Sequence, residues 1–111
     1  MKGTNLGEFE EIVLLTIANV LEGAYSVRIV EEVAAVTNRK PKLSVVHAML
    51  SRLEKKGLIT SELGEPTKAR GGRRKRFFHI SKEGKLALLK AKEQRDQLWS
   101  TIPSIVFKDI N

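Results

Sequence analysis

The chain has 111 residues, 41% of them hydrophobic and 30% charged, with no cysteine. This composition suits one globular domain with a single core, and it excludes disulfides, cysteine-ligated zinc and thiol catalysis. The formal net charge of +7 resides in one stretch: residues 66–82 hold seven cations and no acid, which leaves 13 cations against 13 acids elsewhere. Such a tract suits a polyanion, whose condensed counterions are released as phosphates are neutralised. A solvated loop tip or a sorting tract has the same composition.

In chain order, Asn5 followed by Glu8 resembles a capping box, and Phe9, Val13, Ile17 and Val20 keep a helical spacing behind it. The first helix is predicted over residues 6–22. Ile12, Leu14, Leu15, Ala18 and Leu21 fill its other faces, so it is expected to be buried on more than one side, against its own core or a second subunit. The apolar stretch from Ile12 to Leu21 is interrupted by Thr16 and Asn19 and is far short of the roughly 20 residues of a membrane span. Glu8, Glu10 and Glu11 precede it, where an export signal would carry positive charge. A cytoplasmic protein without membrane contact is therefore expected.

Gly23 ends the first helix, and Ser26 is placed to cap a second through about Val36, with Val27, Val30, Val33 and Ala34 on one stripe. A turn at residues 38–42 contains Pro41 and the cations Arg39, Lys40 and Lys42. The third helix is predicted from Ser44, with Val46, Met49, Leu50 and Leu53 turned inward. Ser44, Val45, His47, Ala48, Ser51, Arg52 and Lys55 occupy its open face. Gly57 follows Lys55 and Lys56 as a C-terminal cap.

The period then shortens. Leu58 to Leu63 and Arg76 to Ile80 read as two strands, with Phe78 and Ile80 on the inner face, joined by a basic loop that contains Gly71 and Gly72. Ser81 caps a last helix from Lys82 to about Ser100. Leu88, Ala91, Arg95, Leu98, Ile102 and Ile105 step by three and four like a helix-pairing seam, with Arg95 anomalous and Pro103 ending the run. The expected fold is mainly α with a small β-hairpin: a winged helix-turn-helix over residues 1–81, then a dimerisation helix and tail over 82–111.

Several stretches resemble the PadR family of prokaryotic transcriptional regulators. Gly7 to Leu15 (GEFEEIVLL) and Ala24-Tyr25-Ser26 are similar to the family's first helix and the turn after it. Val46 to Leu58 (VHAMLSRLEKKGL) is similar to its recognition helix. Gly71 to Phe78 (GGRRKRFF), followed by Ile80-Ser81-Lys82-Glu83-Gly84, is similar to its wing and the start of its final helix. The sequence departs from the pattern at His47, where tyrosine is frequent, and at Val45, where a small polar residue is common. The resemblance implies a homodimer joined through the first and last helices, and a repressor relieved by a ligand or a stress signal.

On the recognition helix, Ser44, His47 and Ser51 offer short or polar side chains that reach base edges, and Val45 and Ala48 suit a thymine methyl. Arg52 suits either a phosphate or an acid of its own fold. In the wing and turn, Lys42, Lys68, Arg70, Arg73, Arg74, Lys75 and Arg76 are the phosphate or minor-groove candidates, with Arg39 and Lys40 secondary. Strand alternation sends Arg74 and Arg76 one way and Arg73 and Lys75 the other. Trp99, with Leu98 and Leu88, marks a candidate effector pocket or dimer contact.

His47 and His79 are the only histidines, too few for a zinc site, and neither paired acids on one helix face nor a phosphate loop or nucleophile turn is present. No cofactor, metal or catalysis is expected. The reading is a sequence-specific regulator that binds double-stranded DNA as a homodimer, with a small-molecule effector as an additional partner. The alternative is a winged-helix protein-interaction module whose basic loop meets an acidic surface, and structured RNA is a third partner class.

Overall fold

A computed structural model describes residues 6–66 and 74–110. The expected Asn5 cap and the basic residues Lys68, Arg70 and Arg73, with Gly71 and Gly72, lie outside the described residues. The element order is α1 (Glu8–Ala18), α2 (Ser26–Thr37), α3 (Leu43–Lys55), β1 (Ile59–Pro66), β2 (Arg74–Ile80), α4 (Lys82–Ser100) and a short 3-10 turn (Ser104–Phe107). The expected architecture of helices followed by an antiparallel hairpin is present, with Ile59 opposite Ile80 and Ser61 opposite Phe78.

α1 is shorter than its apolar pattern predicts. It begins after Gly7, whose N–H donates to Glu10 Oε1 at 2.9 Å. This is half of a capping box, with Glu10 three residues on from Gly7. At the other end Thr16 and Asn19 turn their side chains back onto Ile12 O and Leu15 O, at 2.8 and 3.0 Å. Such local bonds compete with helix propagation, and the chain turns away at Asn19 four residues before Gly23. The apolar spacing continues to Leu21, yet that side chain is 91% exposed.

α2 starts at Ser26 with Tyr25 in the cap position, so the serine is the first helical residue and not the cap. The buried stripe is Ile29, Val30 and Val33, whereas Val27 is exposed. Asn38 ends α2 in the left-handed conformation, at φ 59°. α3 ends as predicted: Gly57 has φ 79°, its N–H donates to Glu54 O, and the Leu58 N–H donates to Leu53 O. Both bonds of a Schellman motif are thus made.

One core joins Val13, Leu14 and Ile17 of α1, Ile29 and Val33 of α2, Val46, Leu50 and Leu53 of α3, and Ile59 and Phe78 of the hairpin. The hairpin is longer than expected at its loop end, since β1 runs through Pro66 and β2 begins at Arg74. Ala24 adds a third line of pairing, exchanging both backbone hydrogen bonds with Phe78 at 3.1 and 2.8 Å.

Ser81 caps α4 by accepting from the Gly84 N–H at 3.0 Å, and its hydroxyl donates to Gly57 O at 2.7 Å. Gly84 is required here, because a Cβ would lie 2.2 Å from Leu58 O. Only the first half of α4 packs on the domain, through Gly84, Ala87 and Leu88; from Lys92 to Ser100 every residue is exposed. Arg95 departs from the expected seam, since its guanidinium bonds to Glu11 of α1. No described helix is long and apolar enough to cross a membrane.

Candidate nucleic-acid interface

α3 displays its polar face because Val46, Leu50 and Leu53 anchor the opposite side in the core. Ser44, Val45, His47, Ala48, Ser51 and Arg52 are all exposed, as is Lys42 before them. At 100° per residue the face divides. His47, Ser51 and Glu54 turn toward the hairpin, Ser44 and Ala48 lie along the middle, and Val45 and Arg52 turn toward α1.

On the hairpin side lies an open groove of about 620 Å³, lined by His47, Leu50 and Ser51 of α3, Tyr25 and Ser26 at the start of α2, and Arg74, Lys75, Arg76 and Phe78 of β2. Strand alternation puts Arg74 and Arg76 on the inner face with Phe78. Near the base that face is apolar, at Ile59, Ile80 and Phe78; farther out it becomes cationic. Arg76 donates to Ser61 Oγ at 3.0 Å, and Ser61 Oγ donates to Glu54 Oε2 at 2.8 Å. Arg74 donates from Nε to Gly64 O at 2.8 Å. Lys75 takes the other direction, with its ammonium 4.0 Å above the Tyr25 ring. Among the described residues, none of these three cations makes an ion pair.

His47 Nε2 is 3.0 Å from Ser26 Oγ, so this imidazole of the exposed α3 face is held from α2. His79 meets Glu62 at 3.1 Å on the outer face of the hairpin, away from α3. The two histidines are thus separate, and no group of three potential metal-ligating residues occurs among the described residues.

On the α1 side the cations are paired. Glu10 is a buried acid in the first turn of α1, 2.8 Å from Lys56 and 4.0 Å from Arg52. Burial works against its charge. The Lys56 ammonium, the Gly7 N–H and the Arg52 guanidinium outweigh burial and hold its carboxyl below the ordinary 4.5. Arg39 meets Glu8 at 3.4 Å, and Arg95 bonds to Glu11. The first turn of α1 therefore ties down the α2–α3 turn, the end of α3 and the middle of α4. Sequence reasoning left Arg52 open between phosphate and acid; its side chain leans toward Glu10 while remaining 60% exposed.

The residues grouped as an effector pocket or dimer contact are not brought together. Leu88 packs against the core, whereas Leu98 and Trp99 are about 15 Å farther along α4 and 70% and 65% exposed. After Pro103 the 3-10 turn brings Phe107 back, stacking its ring on Trp99 at 6.0 Å and 14°. Ile105 and Ile110 remain exposed beside them.

No protein-family model matches the sequence, and no curated protein matches it. Solved structures do. A PadR family transcription regulator from Clostridium difficile superposes with a TM-score of 0.72 at 21% identity, over 85% of this chain and 93% of that one. A PadR-like transcriptional regulator from Bacillus cereus gives 0.70 at 18% identity, over 88% and 90%. A PadR-like transcription factor from Bacteroides fragilis gives 0.70 at 17% identity, over 84% of each chain. The helix order, the hairpin after α3 and the final helix thus amount to the PadR-like winged-helix fold.

Proposed function

We propose that the protein is a sequence-specific transcriptional regulator that binds double-stranded DNA as a homodimer, acting in the cytoplasm as a repressor on an inverted-repeat operator. Residues 1–81 form the DNA-binding unit, and 82–111 supply the dimerisation helix and tail. The observation that carries this reading is the groove shared by the exposed face of α3 and the cations of β2. Base edges are read by Ser44, His47 and Ser51, with Val45 and Ala48 against thymine methyls. Phosphates are met by Lys42, Arg74, Lys75 and Arg76, joined by Lys68, Arg70 and Arg73 of the basic tract and by the exposed side of Arg52. The apolar end of α4, at Leu98 and Trp99, is the contact to the second subunit and the place for an effector.

The test is selection of bound duplexes from a random pool at near-physiological salt, with the mass of the protein in solution measured alongside. The expected result is a two-chain particle that enriches an inverted repeat with half-sites about one helical turn apart. With roughly 6 to 10 phosphates neutralised, affinity falls about a thousandfold or more between 50 and 200 mM salt. On that site Ser44→Ala or His47→Ala alters preference among sequences, whereas Arg73→Ala weakens all sequences alike. A salt slope near zero overturns the reading. Salt-sensitive binding to an acidic protein without preference among duplexes replaces it with the interaction-module alternative.

A further inference from the structure

Four consecutive residues, the last three before α2 and the first of α2 itself, touch both halves of the groove. Gly23 turns with φ 103° so close to β2 that a Cβ there would lie 2.7 Å from the His79 ring. Ala24 is joined to Phe78 of β2 by its two backbone hydrogen bonds. Tyr25 then packs on the hairpin, meeting the Phe77 ring edge-on at 5.8 Å while Lys75 covers its face at 4.0 Å. Ser26 turns to α3, where its hydroxyl is 3.0 Å from His47 Nε2. The neighbouring side chains at the start of α2 thus hold, in opposite directions, a cation of the hairpin and a base-reading candidate of α3.

We propose that Tyr25 and Ser26 are positioning residues that set the distance and orientation between the hairpin and the recognition helix, so that Lys75 and His47 engage the same stretch of duplex. The inference rests on the DNA-binding reading above and assigns a role within it to two residues outside the recognition helix and wing. The physical reason is specific. A lysine side chain has many rotamers and holds no fixed place on a strand without a partner; an aromatic face attracts the ammonium without cancelling its charge. A carboxylate in the position of Tyr25 would hold Lys75 as well but remove it from the phosphates. Ser26 is suited in the same way, since a hydroxyl orients an imidazole without adding charge.

None of the test substitutions changes net charge, so a change in salt dependence reports placement of the hairpin. Tyr25→Leu is expected to lower affinity for the selected duplex about fivefold at 150 mM salt and to reduce the salt slope by about one per subunit, the share of one phosphate contact. Tyr25→Phe keeps the ring and restores both. Ser26→Ala is expected to leave the slope unchanged and to relax sequence preference at the position read by His47. An unchanged slope in Tyr25→Leu overturns the proposal, as does a Tyr25→Phe variant as impaired as Tyr25→Leu, which would make the hydroxyl a direct phosphate ligand.

A readout without DNA separates this inference from the function it rests on. Because the chain has no cysteine, Lys55→Cys and Glu65→Cys permit spin labels on α3 and the hairpin, with labelled chains diluted into unlabelled protein. Tyr25→Leu is expected to broaden the label-to-label distance distribution, and Tyr25→Phe to keep it narrow. If the wild type binds no duplex yet the distances respond this way, the DNA-binding reading fails while the joint stands. An unchanged distribution in Tyr25→Leu overturns the joint whether or not DNA binds.

Discussion

The cations beside the first turn of α1 and those on β2 are chemically alike and held in opposite ways. Arg39, Lys56 and Arg95 each lie against a glutamate of that turn, and Arg52 shares Glu10 with Lys56 at 4.0 Å, so three carboxylates offset most of the charge of these four cations within the fold. Arg74, Lys75 and Arg76 are held by a carbonyl, an aromatic ring and a hydroxyl, all neutral. A neutral partner fixes a cation in place and leaves its field directed outward, whereas a carboxylate consumes it. Charge available to a polyanion is therefore decided by the nature of each cation's partner more than by the number of cations in a region.

The largest effect expected from this contrast is on DNA affinity at β2. If β2 meets the duplex in each subunit of a dimer as proposed, Arg76→Glu sets an acid against phosphate twice and is expected to lower affinity at least about a hundredfold at 100 mM salt, read by fluorescence anisotropy on the selected duplex. Fold stability should change little, because Arg76 is exposed and makes no ion pair among the described residues. A loss below about threefold would show that the Arg76 charge does not meet the duplex.

The next effect is on stability, and it belongs to the other region. Glu10→Gln removes the charge that neutralises Lys56 at a buried position, and is expected to cost about 2 kcal/mol in urea unfolding. The pH dependence has a definite sign. Folding lowers the Glu10 pKa below 4.5, so its stabilisation is complete above the unfolded value and is lost as pH falls through the lower folded value. Between pH 6 and 3 the wild type is expected to lose stability more steeply than Glu10→Gln. Parallel profiles would show that the Glu10 charge is not what holds the end of α3 to α1.

What was legible in the sequence was what depends on near neighbours. The buried positions of α3, the glycine that ends it and the serine that caps α4 each follow from residues within one or two turns, and all three are as expected. The end of α1 was not legible, because the apolar spacing runs on to Leu21 while Thr16 and Asn19 bend their side chains onto the helix's own carbonyls. Ser26 has a cap residue's composition, yet its hydroxyl faces His47, 21 residues away. Glu10 reads as an acid suited to a helix N-terminus; its partner Lys56 is 46 residues distant, and no local pattern signals the pair. Arg95 showed only as a misfit in an apolar seam, the trace that a contact 84 residues away leaves in a periodicity.

The smallest effect sharpens the contrast most. Arg39 lies in the basic turn before α3, where composition alone makes it a phosphate candidate like any cation of β2. Its guanidinium instead faces Glu8 at 3.4 Å, with both side chains more than half exposed. An exposed pair of this kind contributes about 0.5 kcal/mol or less, so Arg39→Gln is expected to leave the unfolding midpoint nearly unchanged. DNA affinity should fall less than about twofold, with the salt slope unaltered, because the charge removed was already balanced. The control is Glu8→Gln, which frees Arg39 and is expected to raise affinity slightly at low salt and not at high salt. If Arg39→Gln instead lowers the slope by a full phosphate per subunit, the guanidinium leaves Glu8 when DNA arrives, and a carboxylate partner exposed to solvent does not withhold a cation from the duplex.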